Sequence, residues 1–318
     1  MVKVSILVPC YNVEKYVKQC LESLKNQTLR DIEIICINDG STDATLDIIQ
    51  DYVAQDNRFL LINKKNSGYG DSMNQGLEAA KGEYIGIVES DDWVDAEMFE
   101  TLYRVATENK LEMVRSGYYT NRLNKDIHCE TYPEVPKETL IRPVEHVGIF
   151  HTAPAIWANL YSRRWLMENE IRFLPTPGAS YQDTAFSVKC LVMVKRLMFI
   201  ENAYLHYRND NPNSSVHSKK KMFCVCDEWE EIYRYASIKR KEFEPLWHMM
   251  PALLYNTFAW NYRRLEEADQ PDFIYHWSKV LKRMVKKGEL NWFALKKRKR
   301  ELFLICYFPS LFLKFFHL

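Results

Sequence analysis

The chain has 318 residues, with 43 lysines and arginines against 42 acidic residues and a formal net charge of +1. That length allows one large domain or a domain with an appendage. The charge balance gives no global field for nucleic acid, so any basic surface has to be local. With 47% apolar residues, material for a core is ample.

Met1 runs straight into Val2 to Val8 with no charged-then-apolar leader, so a cytosolic protein is expected. Eight scattered cysteines, of which only Cys224 and Cys226 sit close, lack zinc-site spacing and read as reduced thiols. No apolar run reaches the roughly 18 residues of a spanning helix.

Lys3 to Val8 reads as a first strand with the exit loop Pro9-Cys10-Tyr11-Asn12, and Val13, Tyr16, Val17, Cys20, Leu21 and Leu24 recur at helical spacing. A second strand, Ile32 to Ile37, ends in Asn38 to Asp43, where Gly40 permits a tight turn and Ser41 or Thr42 can cap a helix through Tyr52. Phe59 to Ile62 is a short third strand, and Asn66-Ser67-Gly68-Tyr69-Gly70 opens a helix through Ala80 that Gly82 stops. The fourth strand, Tyr84 to Val88, runs into Glu89-Ser90-Asp91-Asp92-Trp93, and Leu111 to Ser116 is a fifth. Strands alternating with helices predict an α/β fold with a mostly parallel central sheet. Asn12, Asp39, Asn66 and Asp91 all fall at strand exits, where such sheets bind ligands, and together they suit a nucleotide-sized cleft. No glycine pattern follows the first strand, which excludes a dinucleotide fingerprint and a P-loop.

Glu89, Asp91 and Asp92 would repel one another if crowded without a counter-charge. A divalent cation is the usual remedy, and Mg²⁺ typically takes one or two carboxylates plus substrate phosphates. Helix capping is the plain alternative, but Asp95 is placed to cap a helix starting near Ala96, which leaves Asp91 and Asp92 without a structural task.

Taken in order, Ser5 to Asn12, Asn38 to Asp43, Asn66-Ser67-Gly68 and Gly82-Glu83-Tyr84 leading to Glu89-Ser90-Asp91-Asp92 resemble the family 2 glycosyltransferases of the GT-A fold over residues 1 to about 110. The resemblance implies a nucleotide-sugar donor, with Asp39 meeting the base and the Pro9-Tyr11-Asn12 loop flanking it. Asn66, Gly68 and Asp92 would join that donor site, and Glu89-Ser90-Asp91 would stand at the Asp-x-Asp position with Asp91 as the ligand of Mn²⁺ or Mg²⁺. Glu89 departs from the family's first aspartate, and Met73 stands where relatives often carry an arginine, so the diphosphate charge must be met elsewhere.

Pro133, Pro136 and Pro143 punctuate a surface excursion, followed by Ala155 to Tyr161 and a helix around Arg163 to Glu170. Pro175-Thr176-Pro177-Gly178-Ala179-Ser180-Tyr181-Gln182-Asp183 is a loop, with helical spacing resuming from Thr184 to Met193. On the residues alone Asp183 is as much a helix cap as a catalytic group; the resemblance makes it the catalytic base, with Gln182 departing from the family's glutamate. Trp157 and Tyr181 are candidates for an acceptor-sugar platform, with core packing the plain alternative for Trp157. A strand pair is expected from Leu197 to Tyr207, and the loop after it resembles the family's donor-closing segment. Arg208 is there the candidate for the missing cation, and His217 a candidate third metal ligand whose plain alternative is a solvated loop histidine.

From Lys219 the pattern is helical, with the tryptophans mostly core, so residues 1–218 are expected to form the catalytic domain and 219–318 a helical extension. Nine lysines and arginines from Lys282 to Arg300 precede the apolar tail Leu302 to Leu318. That tail either docks on the core or lies on an anionic membrane, on the cytosolic face. The expected activity is inverting, metal-dependent transfer from a nucleotide-sugar, most simply a UDP-sugar, to a hydroxyl of a glycan or lipid-linked saccharide. The rivals are a degenerate membrane-associated binding subunit and a sugar-nucleotide pyrophosphorylase; the latter wants a glycine-rich basic loop after the first strand.

Overall fold

Every residue of Val4–Cys10 (β1) is buried, as parallel strands covered on both faces by helices require. The chain continues through α1 (Val17–Lys25), β2 (Ile32–Asp39), α2 (Thr45–Gln55), β3 (Phe59–Lys64), α3 (Tyr69–Ala79), β4 (Tyr84–Ile87), β5 (Trp93–Val94), α4 (Met98–Glu108) and β6 (Met113–Arg122). Then come β7 (Lys125–Cys129), β8 (Leu140–Ile141), β9 (Asn159–Ser162), α5 (Arg163–Glu168), α6 (Gln182–Met193) and β10 (Leu197–Arg208). This computed structural model describes residues 1–123, 125–130, 132, 134–212, 222–290 and 298–315. It divides into two compact units, Met1–Ile149 with Ala153–Pro212, and Phe150–Thr152 with Asn213–Leu318.

In the first unit the described strands form one sheet of order β3-β2-β1-β4-β9-β6-β10-β5, with β7 on β6 and β8 on β10. The β1–β2, β2–β3, β1–β4 and β6–β10 pairs are parallel, and the pairs involving β5, β7, β8 and β9 are antiparallel. Helix α1 covers the sheet with Val17, Cys20, Leu21 and Leu24, and α4 with Met98, Phe99, Leu102 and Ala106, each at helical spacing. A fully buried side chain such as Phe99 contributes about 1.5–3 kcal/mol.

Four expectations change. Pro9 belongs to β1 instead of a loop, opposite Ile37; the pairing of β1 with β4 ends at Leu7 and Ile87, so no strand needs an N–H from Pro9 on that side. Residues 197–208 form one irregular strand with register shifts, not a strand pair. Helix α2 is not capped by Ser41 or Thr42; Asp43 Oδ1 accepts the Thr45 N–H at 3.0 Å, while Ser41 Oγ accepts the Asn12 N–H. Asp95 makes no cap for α4, because its carboxylate faces His206.

The second unit contains α7 (Cys224–Ile238), α8 (Arg240–Phe243), α9 (Met250–Arg264), α10 (Gln270–Lys286), α11 (Lys299–Tyr307) and α12 (Pro309–Phe315). Phe258 packs against Phe273 and Trp277 with ring centroids 5.5 and 5.4 Å apart, and Trp229 is buried, while Trp260 is exposed. Trp292 lies outside the described residues. None of the eight cysteines forms a disulfide. Among the described residues no helix is long and apolar enough to cross a membrane. The tail is not apolar all round: Leu302, Ile305, Cys306 and Phe312 form a buried stripe, and Ser278 Oγ donates to the Cys306 carbonyl at 2.8 Å.

Candidate active site

The candidate residues meet where β1, β2 and β4 end. Asn12, in the left-handed region at φ 51°, ties the first exit loop to the second, its Oδ1 accepting the Thr42 N–H at 2.8 Å. Asn tolerates that conformation better than other non-glycine residues. Tyr11 beside it is half exposed. Asp39 closes β2, and its carboxylate accepts the Ser67 and Gly68 N–H groups, both at 2.9 Å, and a bond from Lys64 Nζ. Its carbonyl takes Asn66 Nδ2 at 3.0 Å. Asp39 thus holds the turn that opens α3, a task the sequence did not disclose.

That turn sits hard against the loop leading to Asp183. A Cβ on Gly68, at φ +102°, would lie 2.5 Å from the Thr176 carbonyl oxygen, and one on Gly70 would lie 1.9 Å from that of Leu174. Only glycine admits so close a backbone approach. Asn74 adds a reciprocal pair to Phe173, at 2.9 and 3.0 Å. Gln182 braces the same loop from inside, donating to Thr176 Oγ1 and the Gly178 carbonyl while accepting the Ser180 N–H. The Gln182 departure therefore has a structural use. Tyr181 precedes α6 at φ 66°, a strained conformation for a bulky residue and of a kind that gathers at functional sites. Asp183 stands in the first turn of α6 without capping it, half-buried, with its carboxyl pushed up to about 6 by burial.

The acidic cluster shares this region. Glu89 accepts the Tyr69 hydroxyl at 2.7 Å, and burial, with the charges of Asp91 and Asp183, pushes its carboxyl up to about 8 despite that bond. Asp92 is 1% exposed, its Oδ1 takes the Arg208 N–H at 2.8 Å, and its Oδ2 is buried without a partner among the described residues. Burial, then Asp91, raise its carboxyl well above the usual range. Asp91 Oδ2 accepts Asn211 Nδ2 at 2.8 Å, and the Asp91 carbonyl accepts Arg208 Nε at 2.8 Å. Met73, where a cation was missing, is fully buried in α3, so a charge there would have no outlet.

These groups fit a divalent cation: the donors are hard carboxylate oxygens, Asp91 adds to the rise of both Glu89 and Asp92, and one buried oxygen has no partner among the described residues. Among the described residues no three His, Cys, Asp or Glu side chains are spaced to enclose an ion alone, so bound phosphates would complete the shell. His217 lies outside the described residues. Trp157 is half-buried, stacked on Tyr207 at 5.3 Å and edge-on to Tyr118 at 4.6 Å, so much of its surface is already used in packing. Tyr69, Tyr207 and Asn211 were not singled out from the sequence. The charges of Asp92, Asp91, Glu89 and Asp183 all reach the Tyr207 hydroxyl and, together with burial, raise it. For Tyr69 the only available signal was its place in the Asn66 to Gly70 turn.

The family model for glycosyl transferase family 2 matches residues 5–162. The chain belongs to glycosyl transferase family 2. EpsH of Bacillus subtilis (strain 168) is 34% identical to this chain over 228 residues, 69% of this chain and 64% of EpsH. The poly(ribitol-phosphate) beta-glucosyltransferase of Bacillus spizizenii (strain ATCC 23059 / NRRL B-14472 / W23) is 31% identical over 223 residues, 67% of this chain and 34% of that enzyme. The chain thus spans less than two thirds of either relative's length. Among solved structures, residues 1–349 of S. aureus TarS in complex with UDP-GlcNAc superpose with a TM-score of 0.70 at 19% identity, over 95% of this chain and 87% of that one. The fold they share is GT-A.

Proposed function

We propose that this transferase moves a sugar from a UDP-sugar to a hydroxyl of a glycan or lipid-linked saccharide in surface-polymer synthesis, with inversion. The observation that carries the reading is the meeting of two kinds of carboxylate at one sheet edge: the Glu89-Asp91-Asp92 cluster, and Asp183 in the first turn of α6 after a loop pinned to α3. The UDP-GlcNAc complex of TarS supports the choice of donor, and the poly(ribitol-phosphate) relative the surface-polymer setting.

Asp183 takes the proton of the acceptor hydroxyl as that oxygen bonds to the anomeric carbon, while the bond from that carbon to the nucleotide's phosphate oxygen breaks on the opposite face. A carboxyl at about 6 is mostly ionised near neutral pH yet basic enough to hold the proton it receives. Mg²⁺ or Mn²⁺ held by Asp91 and Glu89 would supply charge neutralisation for the departing diphosphate. Arg208 presents its guanidinium beside Asp91, Asp39 shapes the nucleobase end, and Tyr181, two residues before Asp183, is the acceptor-sugar platform. A screen of nucleotide-sugars by released nucleotide, with the anomeric configuration of the product read by NMR, tests this; a retained configuration would overturn the single-base mechanism.

We further propose that the transferase works peripherally on the cytosolic membrane face. Opposite the buried stripe of α11 and α12, Phe303, Tyr307, Phe308, Leu311 and Phe315 are exposed, with Lys299, Arg300 and Lys314 exposed among them. Apolar side chains set among cations suit anionic lipid, at about 1 kcal/mol per basic residue near the surface. Because Leu302 and Phe312 are core, deleting the tail would unfold what it covers, so the test uses exposed positions. Phe308→Ser with Leu311→Ser should abolish co-sedimentation with phosphatidylserine vesicles at low salt and leave the melting temperature unchanged. Undiminished binding would return this face to solvent.

A further inference from the structure

The last strand of the sheet carries a charged feature beside the candidate site that the transfer chemistry does not use. In one row of the sheet, His206 of β10 stands opposite Tyr119 of β6 and Trp93 of β5. Their rings stack, Tyr119 to His206 at 4.9 Å and 21° and His206 to Trp93 at 5.0 Å and 6°. Arg208 lies two residues on and therefore on the same face of β10. Its guanidinium carbon sits 4.8 Å from the Trp93 ring centroid and 5.1 Å from that of Tyr16. From there Nε reaches the Asp91 carbonyl at 2.8 Å and Nη2 reaches Gln19 Oε1 at 2.6 Å.

Ordinary ring packing needs no charged partners, yet His206 has one on each nitrogen. Nε2 lies 3.1 Å from Asp95 Oδ1, and Nδ1 lies 2.9 Å from Asp126 Oδ2, close but poorly aligned for a hydrogen bond. Burial raises the Asp126 carboxyl, but the contacts with Asn121 and His206 outweigh it and hold the group below its usual range. Trp93 needs this support, because β5 is two residues long and pairs with β10 only through Val94 and Trp93. Two polar or cationic groups against one indole fix its plane, and the indole in turn fixes the guanidinium.

We propose that His206 is a positioning residue for donor binding: braced by Asp95 and Asp126, it sets the Trp93 indole and through it the Arg208 guanidinium beside Asp91. The inference rests on the reading of Arg208 as a group that meets the donor diphosphate. The test is a double-mutant cycle read by calorimetric titration of uridine diphosphate with Mn²⁺ present. His206→Gln should weaken binding about tenfold, within the coupling range of contacting residues, and should change it less than about twofold when Arg208→Ala is already present. An equal loss in both backgrounds, or no loss in the single variant, overturns the proposal. If His206→Gln does not fold, Asp126→Asn takes its place in the same cycle; its side chain is 39% exposed, so its loss leaves the core intact. Wild-type protein that binds no uridine diphosphate would sink the donor reading and this inference together, whereas binding without coupling would sink this inference alone.

Discussion

Replacing Asp183 by asparagine should lower turnover and raise stability, opposite effects from one substitution. Burial lifts its carboxyl from 3.8 to about 6, against bonds from its own and the Thr184 backbone N–H. The folded chain therefore holds this proton up to about pH 6, while the unfolded chain releases it near 3.8. Stability from this group is full below 3.8, falls as pH climbs through about 6, and is missing at neutral pH. At about 1.4 kcal/mol per pH unit the rise sets an upper bound of about 3 kcal/mol, and partial exposure of the side chain reduces that to about 1–2 kcal/mol. An asparagine keeps the acceptor oxygen and removes the ionisation, so calorimetry near pH 7 should show a melting temperature roughly 2–6 °C higher, and near pH 4 almost no difference. Turnover should fall by about a hundredfold or more with donor affinity unchanged. In the wild type, kcat/KM should climb with unit slope up to about pH 6 and then level. An Asp183→Asn variant less stable than wild type near neutral pH would refute the argument, since the carboxylate would then be an anchor for α6 and not a group held at a cost.

Asp91→Asn should leave the melting temperature intact and abolish divalent-dependent turnover, because an amide cannot neutralise the ion; wild-type rates in excess chelator would count against it. Gly70→Ala should cost about 2 kcal/mol or more and most of the activity, since its Cβ would fall 1.9 Å from the Leu174 oxygen and push the loop that carries Asp183. Denaturant midpoints and kcat on one preparation check both effects. Gln182→Glu, although it restores the residue usual in the family, should destabilise by about 1–3 kcal/mol, because a carboxylate cannot donate to the Gly178 carbonyl. A neutral or stabilising result would show that the brace is dispensable.

The parallel part of the sheet was legible because its signals are local. Apolar runs ending in polar residues mark β1, β2 and β4, and turn residues mark the openings of α2 and α3. What was not legible depends on contacts between distant segments. The antiparallel placement of β9 between β4 and β6 has no trace in the residues of Asn159–Ser162. Asp95 was misread because a carboxylate shortly before a helix fits a cap, and only the fold shows His206 opposite it. Asp39 is expected at the nucleotide base, and its further task of engaging both carboxylate oxygens with Lys64, Ser67 and Gly68 rests on contacts only the fold supplies. The tail's buried stripe was not legible because α11 and α12 are separate short helices, and the stripe they share appears only once Pro309 has turned the chain.

One physical feature joins the site's parts. After burial, the charges of Asp91 and Asp183 raise the Glu89 carboxyl, and those of Asp91 and Glu89 raise the Asp92 carboxyl. The cation beside them, Arg208, gives its Nε to a carbonyl and its Nη2 to Gln19, and its lowering of the Asp92 carboxyl is outweighed by burial and Asp91. Met73 cannot help, being enclosed in α3. A protein that gathers unneutralised carboxylates while orienting its own cation elsewhere is less stable alone than with a cationic partner bound, and binding to the folded state alone recovers that difference by mass action. The same arrangement explains why a diphosphate without a cation would be repelled, while burial alone keeps the Asp183 carboxyl poised near neutrality. The electrostatic cost at this sheet edge is thus the physical basis of its chemistry.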